Sequence, residues 1–299
     1  MSRPSHAPDF VIDKPEPNVT IVRMDVASSK DWRQRFLVRS DVHRDSKKCR
    51  REIEKASCDQ ALSEGAGIID VGDLFDAMQG PGDRRACKEA LRDELARADY
   101  FDALIEDAEA FYEPYAWNMV SLTYGNHEEA CIRHYGTDLT KRLANGLRRA
   151  TGAPVHPNGY EGWVIFRVKV NGTKRASKVM HCFHGAGGGG QVTKDSIQLH
   201  RRQSYVDADI LASGHTHDLW AISDVRLSVN DVGRVQHTKT WGLKCGTLKQ
   251  TYANGKSKGL GFEQRQGHRP KPVGHCWLEL SWDSNRDRLD VRASTEAFE

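Results

Sequence analysis

The stretch FLVRSDVH, residues 36–43, is an apolar run that ends in polar side chains, and GIIDVGDLFD, residues 67–76, repeats this design. Residues 46–66, which lie between them, have apolar side chains at roughly helical spacing and no proline. A strand, a helix and a second strand in this order predict a β–α–β unit whose two strands are parallel neighbours. The unit therefore indicates an α/β protein.

The helical and strand signals continue after this unit. Residues 82–118 are rich in Ala, Leu, Glu, Asp and Arg, which predicts one or two helices, and Pro114 marks a helix end. The stretch MVSLTYGNHE, residues 119–128, predicts a third strand that ends in polar side chains. The first half of the chain thus alternates between strands and helices.

The second half of the chain is richer in β patterns. Two β runs within residues 163–184 flank Asn171 and Gly172, which is a strong hairpin signal. Further predicted elements are a helix at 193–208, a short strand at 209–215, and β runs at 234–248 and 275–294.

The length of 299 residues suits one large domain with a sizeable core, and no repeat divides the chain. Four of the ten prolines lie in the first 17 residues, which predicts an extended N-terminal arm over residues 1–18. Residues 19–299 are expected to form a single domain. Within it we expect a helical insertion at about 82–118 and a basic, glycine-rich loop at about 244–272.

The composition argues against several classes of protein. No run of about 18 apolar residues is present for a membrane span, and the first residues show no signal-peptide pattern, so we expect a cytoplasmic protein. The seven cysteines are scattered, which argues against a disulfide framework and against a cysteine zinc site. A net charge of +3 does not by itself indicate a nucleic-acid partner.

Side chains of metal-ligating type follow the predicted strand ends. In open α/β sheets, ligands bind where strands end, so these side chains are expected to meet. Carboxylate, amide and imidazole donors together suit manganese, iron or zinc better than magnesium or calcium. The candidate residues are Asp41, His43, Asp73, Asp76, Asn126, His127, Glu128, His184, His215 and His217.

The motifs DVH, GDLFD, GNHE, a later HG and GHTH, taken in this order, resemble those of the calcineurin-like metallophosphoesterases. The resemblance covers roughly residues 36–247, and LKCGTL at residues 243–248 stands where that family has its last core strand. It implies a four-layer α-β-β-α sandwich with two mixed sheets, and a phosphoesterase that uses two divalent metal ions. Manganese is the expected metal, with iron or zinc as alternatives.

The resemblance also implies a role for each candidate residue. Asp73 would bridge two ions about 3.5–4 Å apart, and a metal-bridging hydroxide would attack the ester. His127 would assist the leaving oxygen, as an acid or by a hydrogen bond. Asp76 and Glu128 would either orient ligands or form ordinary surface ion pairs. With Asp73, Asp41, His43 and His217 would bind the first ion, and Asn126, His184 and His215 would bind the second.

Two pairs of histidines are close in sequence. His215 and His217 are alternate residues at a predicted strand end, so we expect their imidazoles to point at different ions, with Thr216 turned away. His181 and His184 are expected on opposite faces of a strand, so both cannot bind the same ions. His184 precedes a glycine at the strand end, as in the family pattern, and is the preferred ligand.

The glycines at residues 187–190 come soon after a predicted ligand. They match neither a P-loop nor a dinucleotide-binding fingerprint. We expect either a flexible lip that admits a bulky substrate or an ordinary mobile turn.

The charges around the motifs bear on the substrate. Protein phosphatases of this superfamily carry arginines soon after GDxxD and GNH, whereas here Ala77 and Met78 follow the first motif and Arg133 is distant from the second. Residues 244–272 hold seven cations against Glu263 alone, which suits either a nucleic-acid backbone or a solvated polar loop. The cations are Lys244, Lys249, Lys256, Lys258, Arg265, Arg269 and Lys271.

These observations predict a dinuclear-metal phosphodiesterase, with a nuclease acting on DNA as the favoured form. The alternatives are a phosphomonoesterase acting on nucleotides, sugars or phosphoprotein, and a metal-binding scaffold without activity. The complete ligand set argues against the scaffold. A phosphodiester, DNA or RNA, is the expected partner, and no membrane partner is expected. No substrate-contacting residue and no oligomeric state are assigned.

Overall fold

The computed structural model describes residues 3–5, 7–80, 90–252 and 267–298. Within these ranges two β-sheets lie face to face, and helices pack on their outer sides. The strands are β1 (Phe10–Glu16), β2 (Val19–Val26), β3 (Arg33–Arg39), β4 (Gly67–Asp70), β5 (Met119–Leu122), β6 (Glu161–Val170), β7 (Lys174–Phe183), β8 (Ile210–Ser213), β9 (Leu219–Val229), β10 (Val235–Cys245), β11 (Val273–Asp283) and β12 (Arg288–Phe298). The α-helices are α1 (Arg51–Ser63), α2 (Tyr100–Tyr112), α3 (Asn126–Tyr135), α4 (Leu139–Thr151) and α5 (Ser196–Gln203), and 3-10 helices occupy Asp93–Leu95 and Glu113–Asn118.

The five-stranded sheet contains the predicted β–α–β unit. Its strand order is β12-β11-β3-β4-β5. β3, β4 and β5 are parallel, with Phe36 opposite Gly67, and β11 and β12 are antiparallel to their neighbours. Because α1 connects β3 to β4, the prediction of parallel neighbouring strands is confirmed.

The seven-stranded sheet is also mixed, with the order β1-β2-β6-β7-β8-β10-β9. β6 and β7 form the predicted hairpin, whose turn residues Asn171 and Gly172 have φ values of 50° and 72°. Positive φ at both central residues is what a two-residue hairpin turn of type I′ requires. β7, β8 and β10 are parallel, and β9 pairs antiparallel with β10 at the edge.

The layers follow from where the apolar side chains lie. Phe36 and Ile69 from the five-stranded sheet pack with Phe166 and Met180 from the seven-stranded sheet in the core between the sheets. Helices α1, α2 and α4 cover the outer face of the five-stranded sheet, and α5 lies on the outer face of the other. The prediction of a four-layer α-β-β-α sandwich with two mixed sheets is confirmed, and this is the fold that the resemblance to calcineurin-like metallophosphoesterases implied.

The N-terminal residues differ from the prediction of an extended arm over residues 1–18. Phe10–Glu16 form β1, which pairs antiparallel with β2, so the prediction is wrong for these residues. Phe10 and Ile12 enter the core between the sheets, while Val11 is exposed. Pro15 is tolerated because β1 is an edge strand.

Besides β1, four elements are not predicted by the sequence patterns: β2, β9, α3 and α4. Residues 119–128 are predicted as one strand with a polar tip, whereas β5 ends at Leu122 and α3 begins at Asn126. The carboxylate of Glu128 accepts a hydrogen bond from the backbone N–H of Gly125 at 2.8 Å, which caps the helix and fixes its start.

The helical segment predicted at 82–118 belongs to the outer layer. Residues 81–89 lie outside the described residues, and the rest contains α2 and the two 3-10 helices. Pro114 stands in the first turn of Glu113–Asn118, directly after α2 ends. No helix in the described part of the chain is long and apolar enough to cross a membrane.

A buried ion pair fixes two of the parallel strands to the helical layer. Arg39, the last residue of β3, donates Nε to Oδ2 of Asp70 at 3.0 Å and Nη2 to the hydroxyl of Tyr112 at 2.8 Å. All three side chains are buried. Asp70 ends β4 and Tyr112 ends α2, so one guanidinium joins two strands and a helix.

We expect Asp70→Ala to lower the free energy of unfolding by about 3 kcal/mol, because it leaves the buried charge of Arg39 without its partner. Burial, opposed by Arg39, raises the pKa of Asp70 to about 6, so urea denaturation should be followed at pH 8, where the carboxylate is ionised. The control is Asp207→Ala, which removes an exposed ion pair with Arg226 and is expected to cost less than about 1 kcal/mol. Equal losses in the two variants would contradict the structural role of Arg39.

Candidate metal centre

All seven predicted ligands follow strand ends, six of them in loops and Asn126 in the first turn of a helix. Asp41 and His43 follow β3, Asp73 follows β4, Asn126 begins α3 after β5, His184 follows β7, and His215 and His217 follow β8. Within each sheet these strands are parallel, so their carboxyl ends meet at one edge. The structure brings every predicted ligand to this edge, and their role in binding metal stays a prediction.

The first cluster consists of Asp41, His43 and His217. Nε2 of His217 lies 3.2 Å from Oδ1 of Asp41 and 3.3 Å from Nε2 of His43. Nε2 of His43 lies 3.9 Å from the same carboxylate oxygen. Three donor atoms from three side chains therefore converge on one point.

The second cluster consists of Asp73, Asn126, His184 and His215. Nε2 of His184 lies 3.2 Å from Oδ2 of Asp73 and 3.3 Å from Oδ1 of Asn126. Nδ1 of His215 lies 2.7 Å from the same amide oxygen. Nδ1 of His184 donates to the carbonyl oxygen of Val71 at 2.9 Å, which leaves Nε2 for the cluster.

The two clusters adjoin each other. Oδ2 of Asp41 in the first cluster accepts a hydrogen bond from the backbone N–H of His215 in the second, at 2.8 Å. The backbone N–H of His43 in the first cluster donates a hydrogen bond to the carbonyl oxygen of Asp73 in the second, at 3.1 Å. The carboxylate of Asp73 thus belongs to the second cluster, and its backbone contacts a residue of the first.

The carboxylates of both clusters are ionised. Burial raises the pKa of Asp41, but His217 outweighs burial and holds the pKa of this carboxyl below its usual range. Burial likewise raises the pKa of Asp73, and His184 outweighs it and holds the pKa well below the usual range. Both groups are thus in the charge state that a metal ligand needs.

The imidazoles differ in protonation. Burial and the ammonium of Lys249 lower the pKa of His43 to about 4, so this imidazole is neutral. Burial also lowers the pKa of His184, but the adjacent carboxylate of Asp73 outweighs burial and raises the pKa to about 9. A cation that binds Nε2 of His184 must therefore displace a proton from it.

The backbone is strained at the ligands. The structure describes 11 residues other than glycine with positive φ, and five of them are predicted ligands. These five are Asp41 (53°), His43 (50°), Asp73 (53°), His215 (71°) and His217 (57°). Such conformations cost of order 1–3 kcal/mol each and persist where the surroundings fix them, typically at functional sites. The concentration of strain supports a functional role for these loops.

The same backbone angles correct the prediction for His215 and His217. They were expected at the end of an extended strand, but β8 ends at Ser213 and both histidines have a left-handed backbone. The imidazoles nevertheless reach different clusters, as predicted, because the loop turns between them.

A glycine directly precedes a predicted ligand in three motifs, at Gly72, Gly125 and Gly214. A Cβ atom at Gly125 would lie 2.2 Å from Oδ1 of Asp73, and one at Gly214 would lie 2.4 Å from Oδ2 of Asp41. The two carboxylates thus fill the space of the missing side chains. The sequence analysis assigned these glycines no role, although their position before each ligand was a visible signal.

His127, the predicted leaving-group residue, faces the second cluster from the start of α3. Its Nδ1 donates to the carbonyl oxygen of Asp76, so Nε2 is the nitrogen left for exchange of a proton. Nε2 lies 3.8 Å from Oδ2 of Asp73, and the ring contacts His43 edge to face at 4.9 Å between centroids. His127 is therefore held beside both clusters.

Asp76 lies behind His43. Its Oδ1 is 2.9 Å from Nδ1 of His43, on the far side of the ring from the first cluster, and it also accepts a hydrogen bond from Nζ of Lys249 at 2.5 Å. A carboxylate in this position fixes the ring and increases its basicity. Because Asp76 is buried, the alternative of a surface ion pair does not fit.

Asp45 also supports this loop and was missed by the sequence analysis. Its buried carboxylate accepts hydrogen bonds from the backbone N–H groups of Asp76 and Ala77 and from the hydroxyl of Tyr100. Burial, followed by the charge of Asp76, raises the pKa of Asp45. The position of Asp45 two residues after His43, in DVHRD, was the available signal.

Glu128 joins two ligand loops through their backbone. Its Oε2 accepts hydrogen bonds from the N–H groups of Gly125 at 2.8 Å and Asp73 at 3.2 Å, and its Oε1 accepts one from Phe75 at 2.8 Å. The side chain is fully buried. Burial and the charge of Asp73 raise the pKa of Glu128 to about 8. Glu128 thus positions the ligand Asp73 instead of forming a surface ion pair.

His181 belongs to neither cluster, as expected. It is buried in β7, where its Nδ1 accepts a hydrogen bond from Nη2 of Arg202 at 2.6 Å. Burial and this guanidinium lower the pKa of His181 to about 4, so the ring is neutral. His184, by contrast, follows the end of the strand and enters the second cluster.

The predicted basic loop at 244–272 lies only partly within the described residues. Residues 253–266, which contain Lys256, Lys258 and Arg265, are outside them. Each cation that the structure does describe contacts a carboxylate. The contacts are Lys244 with Asp195, Lys249 with Asp76, and Arg269 and Lys271 with Asp218. Lys244 is moreover buried within β10, so it is not part of a solvent-exposed loop.

The donor atoms of the two clusters fit a divalent cation. Oδ1 of Asp41 is buried and has no hydrogen-bond partner among the described residues, although it faces Nε2 of His43 and His217. A buried oxygen without a donor is destabilising, and a cation between these three atoms would satisfy it. Histidine and aspartate together also suit borderline ions such as Mn²⁺, Fe²⁺ or Zn²⁺. These clusters can therefore hold metal.

No family model and no curated protein matches the sequence. Among solved structures, the chain is similar to GAP50, the anchor in the inner membrane complex of Plasmodium, with 14% identity, 89% of each chain covered and a TM-score of 0.46. It is also similar to Vps29 from Entamoeba histolytica complexed with Zn²⁺, with 12% identity, 89% of this chain and 100% of that chain covered, and a TM-score of 0.33. A predicted phosphoesterase from Streptococcus pneumoniae TIGR4 aligns with 10% identity over 89% of this chain and 99% of that chain, with a TM-score of 0.31. The geometry of the two clusters is the basis for the function proposed below.

We expect Gly125→Ala to abolish metal binding at the second cluster, because the added Cβ displaces the carboxylate of Asp73. The measurement is the metal content of purified protein after equilibration with Mn²⁺ or Zn²⁺, with thermal unfolding as a check on the fold. The control is Gly188→Ala, since a Cβ at residue 188 meets no atom within 4 Å. Metal content equal to that of the unmodified protein in Gly125→Ala would refute the close packing of this loop on Asp73.

Proposed function

We propose that this protein is a calcineurin-like metallophosphoesterase that binds two divalent metal ions and hydrolyses phosphodiesters. The observation that carries the proposal is that the two clusters adjoin: the backbone N–H of His43 donates to the carbonyl oxygen of Asp73, and the backbone N–H of His215 donates to the carboxylate of Asp41. A shared carboxylate holds two cations about 3.5–4 Å apart, which is the spacing of two-metal ester hydrolysis. Strained backbone at five ligands also favours a catalytic centre over a passive scaffold.

Manganese is the proposed metal, with iron or zinc as alternatives, because four imidazoles accompany the carboxylate and amide oxygens. Two cations bound there would supply positive charge to the phosphate oxygens and lower the pKa of a water molecule between them. The chain itself keeps the donors in place. Glu128 holds the loop of Asp73, and Asp76 holds the ring of His43.

We assign the transfer of a proton to the leaving oxygen to His127. The carbonyl oxygen of Asp76 fixes Nδ1 as the protonated nitrogen, so Nε2 is the one that faces the site. In the imidazolium form, Nε2–H donates its proton to the leaving oxygen, and His127 becomes neutral. Its position supports this assignment, because Nε2 lies 3.8 Å from the carboxylate of Asp73 in the second cluster.

A phosphodiester is the proposed substrate, and DNA the favoured one. Ala77 is buried, so the loop after β4 offers no guanidinium at this position to neutralise the second charge of a phosphomonoester. Lys249 contacts Asp76, and Arg269 contacts Asp218 next to His217, so cations border the first cluster. The cytoplasmic location expected from the composition stays a prediction.

We expect metal-stripped protein to hydrolyse a chromogenic phosphodiester when Mn²⁺ is added. Loss of a residue that only orients a metal ligand lowers activity about 10–100-fold, and Asn126→Ala should lower kcat by more than this. His127→Asn should lose about 10²–10⁴-fold with a poor leaving group but little with p-nitrophenolate, which needs no proton. Asn126→Ala should lose activity with both, because its defect lies in the second cluster.

The matched control is His134→Asn, since His134 is an exposed histidine of the same helix α3. A higher kcat/KM for the matching monoester would favour the phosphomonoesterase alternative. Binding of metal without turnover of any ester would favour the scaffold. An equal loss for good and poor leaving groups in His127→Asn would contradict the role of His127 in proton transfer.

A further inference from the structure

The outer face of the seven-stranded sheet is only partly covered. Helix α5 packs over one region of it, where Leu199, Ala208 and Leu211 form a small apolar cluster. Elsewhere, β2, β6 and β7 border a groove of about 590 Å³. The side chains that line it on the exposed face are Arg23, Asp25, Arg167, Lys169, Arg175 and Ser177.

The strand register sets like charges opposite each other in this groove. Arg23 on β2 is opposite Arg167 on β6, and Lys169 on β6 is opposite Arg175 on β7. Like charges directly opposite on neighbouring strands are destabilising. The fold does not need cations at these exposed positions, because any polar side chain would suit the solvent there. The register therefore points to an anion that these cations bind.

Most of these cations have no carboxylate partner. Arg23 forms an ion pair with Asp13 at 2.7 Å. Arg167, Lys169 and Arg175 form no ion pair with any carboxylate in the described part of the chain. Asp25, opposite Lys169, is the one anion that lines the groove.

Lysines elsewhere on the same strand are paired. On β7, Lys174 lies 2.6 Å from Asp287 and Lys178 lies 3.1 Å from Asp209. Arg175 therefore differs from these two lysines of the same strand, because no carboxylate within the described ranges offsets its charge.

We propose that this groove binds the phosphodiester backbone of a nucleic-acid strand. Its cations lie on three adjacent strands about 4.8 Å apart, and the two cations of β6, Arg167 and Lys169, are two residues, or about 7 Å, apart along the strand. Cations spread over an exposed face in this way suit a ligand with regularly repeated anionic groups. The planar guanidinium fork binds two phosphate oxygens at once. The face is too open to enclose a small anion.

The groove is remote from the metal centre. Arg175 stands nine residues before His184 along β7, which corresponds to about 30 Å of extended strand. Only a polymer could touch both places, so the groove is a second site and not an extension of the first. Binding there does not depend on the proposed activity of the metal centre.

The test measures the affinity of the full-length protein for fluorescein-labelled single-stranded and duplex DNA in EDTA, where metal-dependent cleavage is absent. We expect Arg167→Ala/Arg175→Ala to raise Kd at least 10-fold at low salt. The slope of log K against log salt should fall by about 1.4 for single strands or 1.8 for duplex, because two phosphate contacts are lost. Arg167→Lys/Arg175→Lys should keep most of the slope, since the charge remains.

The control is Arg286→Ala/Arg288→Ala, which removes two exposed arginines near the turn between β11 and β12 and should leave Kd unchanged. Unchanged Kd and slope in Arg167→Ala/Arg175→Ala would overturn the proposal, as would competition by polyglutamate as strong as that by DNA. Hydrolysis of the small chromogenic diester should be unaffected in this variant. If that hydrolysis fails in the unmodified protein, the proposed function fails while the binding result still stands.

Discussion

The structure depends on keeping two buried carboxylates, Asp41 and Asp73, ionised next to each other. Burial and the repulsion between the two carboxylates both oppose their ionisation. The nearby imidazoles of His217 and His184 offset these two effects. The imidazoles come from loops of the opposite sheet, so the charges can be balanced only where the two sheets meet face to face. The sandwich architecture is therefore the condition for the site, and divalent cations are the natural counter-charges for it.

The layers of the fold and the residues of the site could be predicted from the sequence because both depend on local patterns. Apolar runs that end in Asp41, Asp73 or Asn126 specify strands with polar ends, and the helix between β3 and β4 makes the strands parallel. Because neighbouring parallel strands end at the same edge of a sheet, the polar residues that follow them lie close together. The order of the motifs resembles that of a known family, and this resemblance allowed each predicted ligand to be assigned to one of two clusters.

The rest could not be predicted because it depends on contacts between distant residues. The basic segment looked unpaired in sequence, yet Lys244 meets a carboxylate 49 residues away and Lys249 one 173 residues away. The positive φ values of His215 and His217 accompany contacts with a distant loop, such as the hydrogen bond from the backbone N–H of His215 to Asp41, which a local pattern does not show. β1 was missed because Pro15 within it, and Pro8 and Pro17 on either side, masked the alternation of Phe10 and Ile12; an edge strand tolerates such a proline.

The most direct test of the account is a crystal structure of the protein grown with Mn²⁺, with anomalous diffraction measured at the manganese edge. The account predicts two anomalous peaks about 3.5–4 Å apart with Asp73 between them. One peak should be bound by Asp41, His43 and His217, and the other by Asn126, His184 and His215. A single peak, or peaks away from these side chains, would contradict a dinuclear centre at this edge of the sheets.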